Sequence, residues 1–217
     1  MIEIGINNKH YRIPTTFNDL SLREYCRVFS NLEPTDGLEG RELFLANKRN
    51  EAAILSRLML FTSDDGETRY ESDDFAMELP LTLYSSLVEA TKFIYGLQDV
   101  KHRGVVEVDG KTYKASKPEE MNLRQWIDID VTSEEESPDK FIDILSMLLV
   151  EVGEDGEKKP YKGFDAEFAK RLGEVSCSEG LPIVYRFFLK GAVSSRLTRL
   201  YSMLTAVGRS LRDTQSS

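Results

Sequence analysis

Apolar and polar residues alternate at the start of the chain. In Ile4-Gly-Ile-Asn-Asn-Lys-His-Tyr-Arg-Ile13 the apolar side chains recur at every second position on either side of Asn7-Asn8, which is the period of a half-buried strand. The same pattern returns in Val106-Glu-Val-Asp-Gly-Lys-Thr-Tyr-Lys-Ala115. Ile4 and Ile6 fall on Val106 and Val108, Lys9 on Lys111, Tyr11 on Tyr113, and Arg12 on Lys114. Asn-Asn and Asp-Gly both tolerate the positive φ angles of a tight type I′ turn. Each stretch therefore predicts a short β-hairpin.

After each hairpin the period changes to that of a helix. Leu20-Ser-Leu-Arg-Glu-Tyr25 lines up with Met121-Asn-Leu-Arg-Gln-Trp126. Ser21 and Asn122 are N-cap residues, with Glu24 and Gln125 three positions on, where a capping-box side chain reaches back. Leu20 with Tyr25, and Met121 with Trp126, hold the two positions of a hydrophobic staple. Leu22, Tyr25, Cys26, Phe29 and Leu32 continue the first helix as an apolar stripe. Ile54–Leu60 echoes Ile144–Val150 as a second helix. Leu79-Pro80 ahead of Leu81–Tyr95, and Leu181-Pro182 ahead of Ile183–Leu189, predict third helices that open on proline, which suits a first turn.

The expected fold is α+β and mostly α. It comprises two tandem homologous modules at 1–100 and 104–191, each a β-hairpin followed by about three helices, with a seam at 99–104. Beyond them comes a C-terminal amphipathic helix and tail at 192–217. Segments 33–40, 63–74, 132–139 and 153–163 are rich in Gly, Pro, Ser, Asp and Glu and are expected as surface loops.

Charge refines this picture. The 217 residues carry 37 acidic and 28 basic side chains, a net charge of −9, which argues against a general nucleic-acid coat. The end of the chain departs from that balance, with Arg186, Lys190, Arg196, Arg199, Arg209 and Arg212 against Asp213 alone. Leu197, Leu200, Met203, Leu204, Val207 and Leu211 form one face of this basic helix. Three roles fit it: packing on the acidic remainder, lying in a groove of a partner protein, or meeting a nucleic acid or membrane surface. Two cysteines make no secreted disulfide scaffold and point to a reducing cytosol. The first ten residues lack the basic start and apolar run of a signal peptide, and no apolar run is long enough to span a bilayer.

Motifs with chemical meaning dissolve on inspection. Gly104–Thr112 has the outline of a phosphate loop, but five residues separate its glycines and a strand follows where a helix N-terminus is needed. The acidic groups at Asp64-Asp65, Asp73-Asp74, Asp128 with Asp130, and Glu134–Glu136 lack the alternating ligands and central Gly of a calcium loop. They read as solvated faces. His10 and His102 stand apart from any cysteine or nucleophile context. Cys26 lies on the apolar stripe and reads as core, while Cys177 between two serines could be exposed. No catalytic residue, cofactor or metal is expected.

The duplicated layout resembles the tail-assembly chaperones and related tail or baseplate assembly proteins of tailed bacteriophages. The likeness rests on the hairpins leading into Asp19–Tyr25 and Met121–Asp130, on Ile54–Leu58 and Ile144–Leu148, and on the closing Leu181–Phe188. It implies a non-enzymatic protein that binds an aggregation-prone tail component, a tape measure or baseplate protein, in the host cytoplasm. A permanent subunit of the virion tail is one alternative, and a nucleic-acid-binding protein using the basic final helix is another. Candidate partner-binding residues are Phe187, Phe188, Leu197, Leu200 and Leu204, with Arg196 and Arg199 beside them. Phe93 and Tyr95 are further candidates, although Phe93 and Phe187 read more simply as core.

Overall fold

The computed structural model describes residues 1–96, 105–134, 137 and 139–190, with side chains for all of these except residues 118 and 184–190. The expected seam at 99–104 and the expected final helix at 192–217 lie outside the described residues. The fold is α+β. Among the described residues two antiparallel sheets form, one of four strands and one of three, each with its strands in chain order. The chain divides into two compact units. The first holds Met1–Asp19 and Arg27–Gly96, and the second holds Leu20–Cys26 and residues 105–190.

The first unit opens on β1 (Ile2–Ile6) and β2 (Lys9–Ile13). Asn7 and Asn8 take φ of 51° and 65°, the double left-handed turn that the sequence predicts. Pairing of Ile4 with Tyr11 and of Ile2 with Ile13 puts all four on one face, and that face is covered by α2 (Gly40–Leu58). Tyr11, Ile13, Ala52, Leu55, Met59, Phe61 and Leu87 form the core. Only the second half of α2 is buried there; Phe44 and Leu45 near its start are exposed. The chain leaves α2 through Met59 in extended backbone and runs straight into β3 (Leu60–Thr62). The expected helix at 54–60 is thus a helix-to-strand junction, because Leu60 and Phe61 gain a partner strand in β2.

The segment expected as a loop at 63–74 contains β4 (Thr68–Tyr70), which pairs with β3. Its tight turn is made by Asp65, whose Oδ1 accepts the Glu67 amide (3.0 Å), and by Gly66 at φ 84°. Polar turn chemistry concealed a hairpin there. A short 3-10 turn follows and brings the Phe75 ring onto Tyr11, stacked at 5.7 Å. Then comes α3 (Leu81–Thr91), with Pro80 in the N-cap position as expected.

In the second unit β5 (Val105–Val108) and β6 (Lys111–Ala115) turn at Asp109 and Gly110, with φ of 51° and 73°. A hairpin, with no helix after Gly-Lys-Thr, is what removes the phosphate-loop reading. Next come α4 (Leu123–Glu134) and α5 (Lys140–Leu148), and α5 passes directly into β7 (Leu149–Glu151) beside β6. Residues 132–134, expected in a loop, belong to α4. Ile129, Ile144, Met147 and Leu148 make the core, with Met121, Trp126 and Tyr161 packed on it. The turn after β7 repeats the one after β3: Asp155 Oδ1 accepts the Glu157 amide (3.0 Å), and Gly156 sits at φ 80°. Phe168 on α6 (Ala166–Leu172) then stacks on Tyr113 at 4.5 Å, as Phe75 does on Tyr11.

The last described element, α7 (Cys177–Lys190), corrects one expectation. It begins five residues ahead of Pro182, which lies inside the helix. Its start follows from Ser176, whose Oγ accepts the Ser178 amide (3.3 Å); a serine at a helix start outweighs the proline signal, since an N-cap satisfies amides that a mid-helix proline does not.

A buried guanidinium ties the first unit together. Arg57, 9% exposed, donates to both Asp73 oxygens (2.7 and 2.6 Å) and to the carbonyls of Val28 (3.1 Å) and Ser30. The Arg57 hydrogen bonds hold the Asp73 carboxyl below its usual range. A carboxylate depressed in the folded state adds stability above its unfolded pKa, about 3.9, and that stability is lost as pH falls through the folded value. Asp73→Asn should therefore lower the urea midpoint at pH 7, and the gap to the parent protein should shrink progressively below about pH 4.

Candidate protein-binding surface

The two helix starts that match in sequence end in different surroundings. Helix α1 (Leu22–Val28) begins with a complete capping box: Ser21 Oγ accepts the Glu24 amide (3.2 Å), and Glu24 Oε2 accepts the Ser21 amide (2.7 Å). Both staple residues, Leu20 and Tyr25, are buried. This start lies within the second unit, against the start of α7. Ser21 and Ser176 form an antiparallel bridge in which the Leu22 amide donates to Val175 O (2.8 Å) and the Cys177 amide donates to Leu20 O (2.9 Å). The Arg23 amide donates to Gly173 O (2.9 Å). Three amides that have no partner inside their own helices are satisfied this way.

Side chains complete the contact. Leu22 is fully buried and lies so close to Gly180 that a Cβ there would stand 2.5 Å from Leu22 Cδ1. Arg23 donates to Glu174 Oε1 (3.1 Å), Asp139 Oδ2 (2.8 Å) and Lys170 O (3.2 Å). Cys177 donates its thiol to Ser21 O (3.0 Å). The exposure that the sequence left open for Cys177 is settled as burial, because the α1 start covers it. Cys26 is core, as expected. Burial pushes both thiols above their usual range, the opposite of what a reactive thiolate needs.

The start of α4 has the same cap and a bare face. Asn122 Oδ1 accepts the Gln125 amide (2.9 Å). The return half of the expected box is absent: Gln125 is buried and donates instead to Met147 O (2.6 Å) and Ser116 Oγ (3.3 Å). The carbonyl inside the core is the better partner for a buried amide, because nothing else there satisfies it. Leu123, the sequence counterpart of Leu22, is 74% exposed. Ile127 and Val131 follow at i+4 and i+8, 49% and 57% exposed, so the three lie on one helix face. On the other side of α4, Asp128 Oδ2 accepts the Tyr161 hydroxyl (2.8 Å).

Residues singled out from sequence fare differently. Phe93 is half-buried edge-on to Phe17, with ring centres 5.2 Å apart, in agreement with a core role. Tyr95 is half-buried and its phenol is pushed up by burial. Phe187 and Phe188 lie on α7, but their side chains are outside the described residues, as are Arg196, Leu197, Arg199, Leu200 and Leu204 altogether. Sequence reasoning missed Leu123, Ile127 and Val131 as a surface; their i, i+4, i+8 spacing was the available signal. His10 is exposed on β2, and His102 falls outside the described residues. Among the described residues no three His, Cys, Asp or Glu side chains are placed to hold a metal ion, and no helix is long and apolar enough to cross a membrane.

No known protein family, curated protein or solved structure matches this chain.

The two leucines at matching positions should respond in opposite ways to truncation. Leu22→Ala should cost about 2–5 kcal/mol, and Leu123→Ala should stay within about 0.5 kcal/mol, read from urea unfolding of dilute protein. Gly180→Val, which drives a branched side chain into Leu22, should destabilise by about 1–3 kcal/mol.

Proposed function

We propose that this chain is a non-enzymatic assembly protein, made of two copies of one hairpin-and-helix module, that acts in the host cytoplasm as chaperone or adaptor for a phage tail component. Duplication is supported by details beyond the sequence match. Both halves carry a left-handed two-residue turn, a capped helix start, a helix that runs into a strand of the hairpin's sheet, an Asp-Gly-Glu turn, and a phenylalanine stacked on the hairpin tyrosine. The tail-assembly reading comes from the resemblance of the hairpin-helix and Leu-Pro stretches to that family. The observation that carries a protein-binding role is the α4 face of Leu123, Ile127 and Val131. A contiguous apolar stripe on a helix is the surface an amphipathic partner helix requires, and net negative charge favours solubility of the complex.

Co-expression with tail tape-measure and baseplate proteins tests the role. A tail component that is insoluble alone should become soluble with this chain and co-purify with it. Ile127→Glu with Val131→Glu should reduce that recovery at least tenfold while leaving the circular dichroism of this chain unchanged. Failure to solubilise any tail component would remove the proposal, and stoichiometric copies in purified particles would replace the chaperone with a permanent tail subunit.

A further inference from the structure

The contact between α1 and α7 is one half of a repeated arrangement whose other half is left open. The residues ahead of α7 are Glu174-Val-Ser-Cys177, and the residues ahead of α3 are Glu78-Leu-Pro-Leu81. They align by helix position, since Ser176 and Pro80 each directly precede the first helical residue. In the closed half, the first turn of α1 meets the first group. In the open half, Leu123 and Arg124 on the first turn of α4 are exposed, as are Glu78, Pro80 and Leu81 of the second group. Leu123 and Leu81, counterparts of the buried Leu22 and Cys177, are the two most exposed large apolar side chains among the described residues, at 74% and 78%.

The polar groups match as well. In the closed half the bridge uses the amides of Leu22 and Cys177 and the carbonyls of Val175 and Leu20. The corresponding groups of the open half are the amides of Leu123 and Leu81 and the carbonyls of Leu79 and Met121. The two bridge hydrogen bonds run from the amides of Leu22 and Cys177 and not from that of Ser176, so a proline at the matching position is compatible with the same pair of bonds. Arg23 pairs with Glu174 in the closed half. Their counterparts are Arg124 and Glu78, opposite charges that are both exposed.

We propose that the first turn of α4 in one copy of this chain receives the Glu78–Leu81 segment of a second copy, joining copies head to tail. Leu81 covers Leu123, Arg124 pairs with Glu78, and the backbone groups of Met121–Leu123 and Leu79–Leu81 bond reciprocally. The two surfaces are different patches of the same chain, so the contact is heterologous and builds a ring or an open chain of copies. It occupies only the first turn of α4 and leaves Ile127 and Val131 to a client. The inference rests on reading the α4 face as protein-binding, and it adds that the partner at its start is the chain itself.

Full-length protein examined by analytical ultracentrifugation tests this. The parent should show concentration-dependent species larger than a monomer. Leu123→Asp and Leu81→Asp should each be monomeric, with unchanged circular dichroism, since both sites are exposed. Mixed one to one, they should form a dimer and nothing larger, because one intact copy of each surface remains. Arg124→Glu and Glu78→Arg should each weaken association at least tenfold, and the double variant should recover it. A parent that is monomeric at every concentration, a mixture that stays monomeric, or an oxidised Leu81→Cys, Leu123→Cys variant cross-linked within one chain would each overturn the inference. Solubilisation of a tail component by a monomeric parent would leave the chaperone role standing without self-assembly. Self-association with no tail component solubilised would do the reverse.

Discussion

The first amides of a helix have no partner within it, and this molecule is arranged around that constraint. At the Ser21–Ser176 bridge two helix starts supply one another with what each lacks: a carbonyl ahead of α7 for the Leu22 amide, and a carbonyl ahead of α1 for the Cys177 amide. Buried backbone donors left unpaired are costly, so the contact is more specific than the burial of Leu22 against Gly180 alone would make it. The consequence is topological. A segment that belongs by sequence to the first half, Leu20–Cys26, is part of the second unit.

Around that contact, each unit is held by the same economy of parts. A helix passes without a loop into a strand of the hairpin's sheet, so the last turns of α2 and of α5 are pinned over the strand they continue into. A phenylalanine from downstream closes the far side of the hairpin tyrosine. Several polar groups caught inside are tied to distant parts of the chain. Ser56 Oγ accepts the Ala76 amide (2.9 Å), Gln125 donates to Met147 O, and Arg57 ties the end of α1 to Asp73. At the start of α4 the matching helix face is exposed instead, with Leu123 outermost.

The two thiols and several of the carboxylates are engaged within the fold. The thiols are sealed and shifted away from the thiolate, and Lys111 and Thr112 run as strand directly after the Gly110 turn. Three carboxylates accept from hydroxyl or guanidinium groups of other elements: Glu71 from Tyr11, Asp128 from Tyr161, and Asp73 from Arg57. These bonds hold elements together.

Local signals were legible before any coordinates. Asn7-Asn8 and Asp109-Gly110 turn because their side chains permit positive φ, and Ser21 and Asn122 cap because their oxygens reach the third amide on; both are properties of a few neighbouring residues. The hairpin at 60–70 was not legible, since its strands are three residues long and become strands only by pairing with β2. Nor was the start of α7, where Ser176 competed with Pro182. Gln125 and Glu24 occupy the same place in matching motifs, and only the presence of a core carbonyl decides that one turns inward while the other returns to its cap. The same holds for Leu22 and Leu123. Sequence by itself determined that both helices begin alike with a leucine first; which leucine is covered depended on what the distant chain brought to it, and no local pattern carries that information.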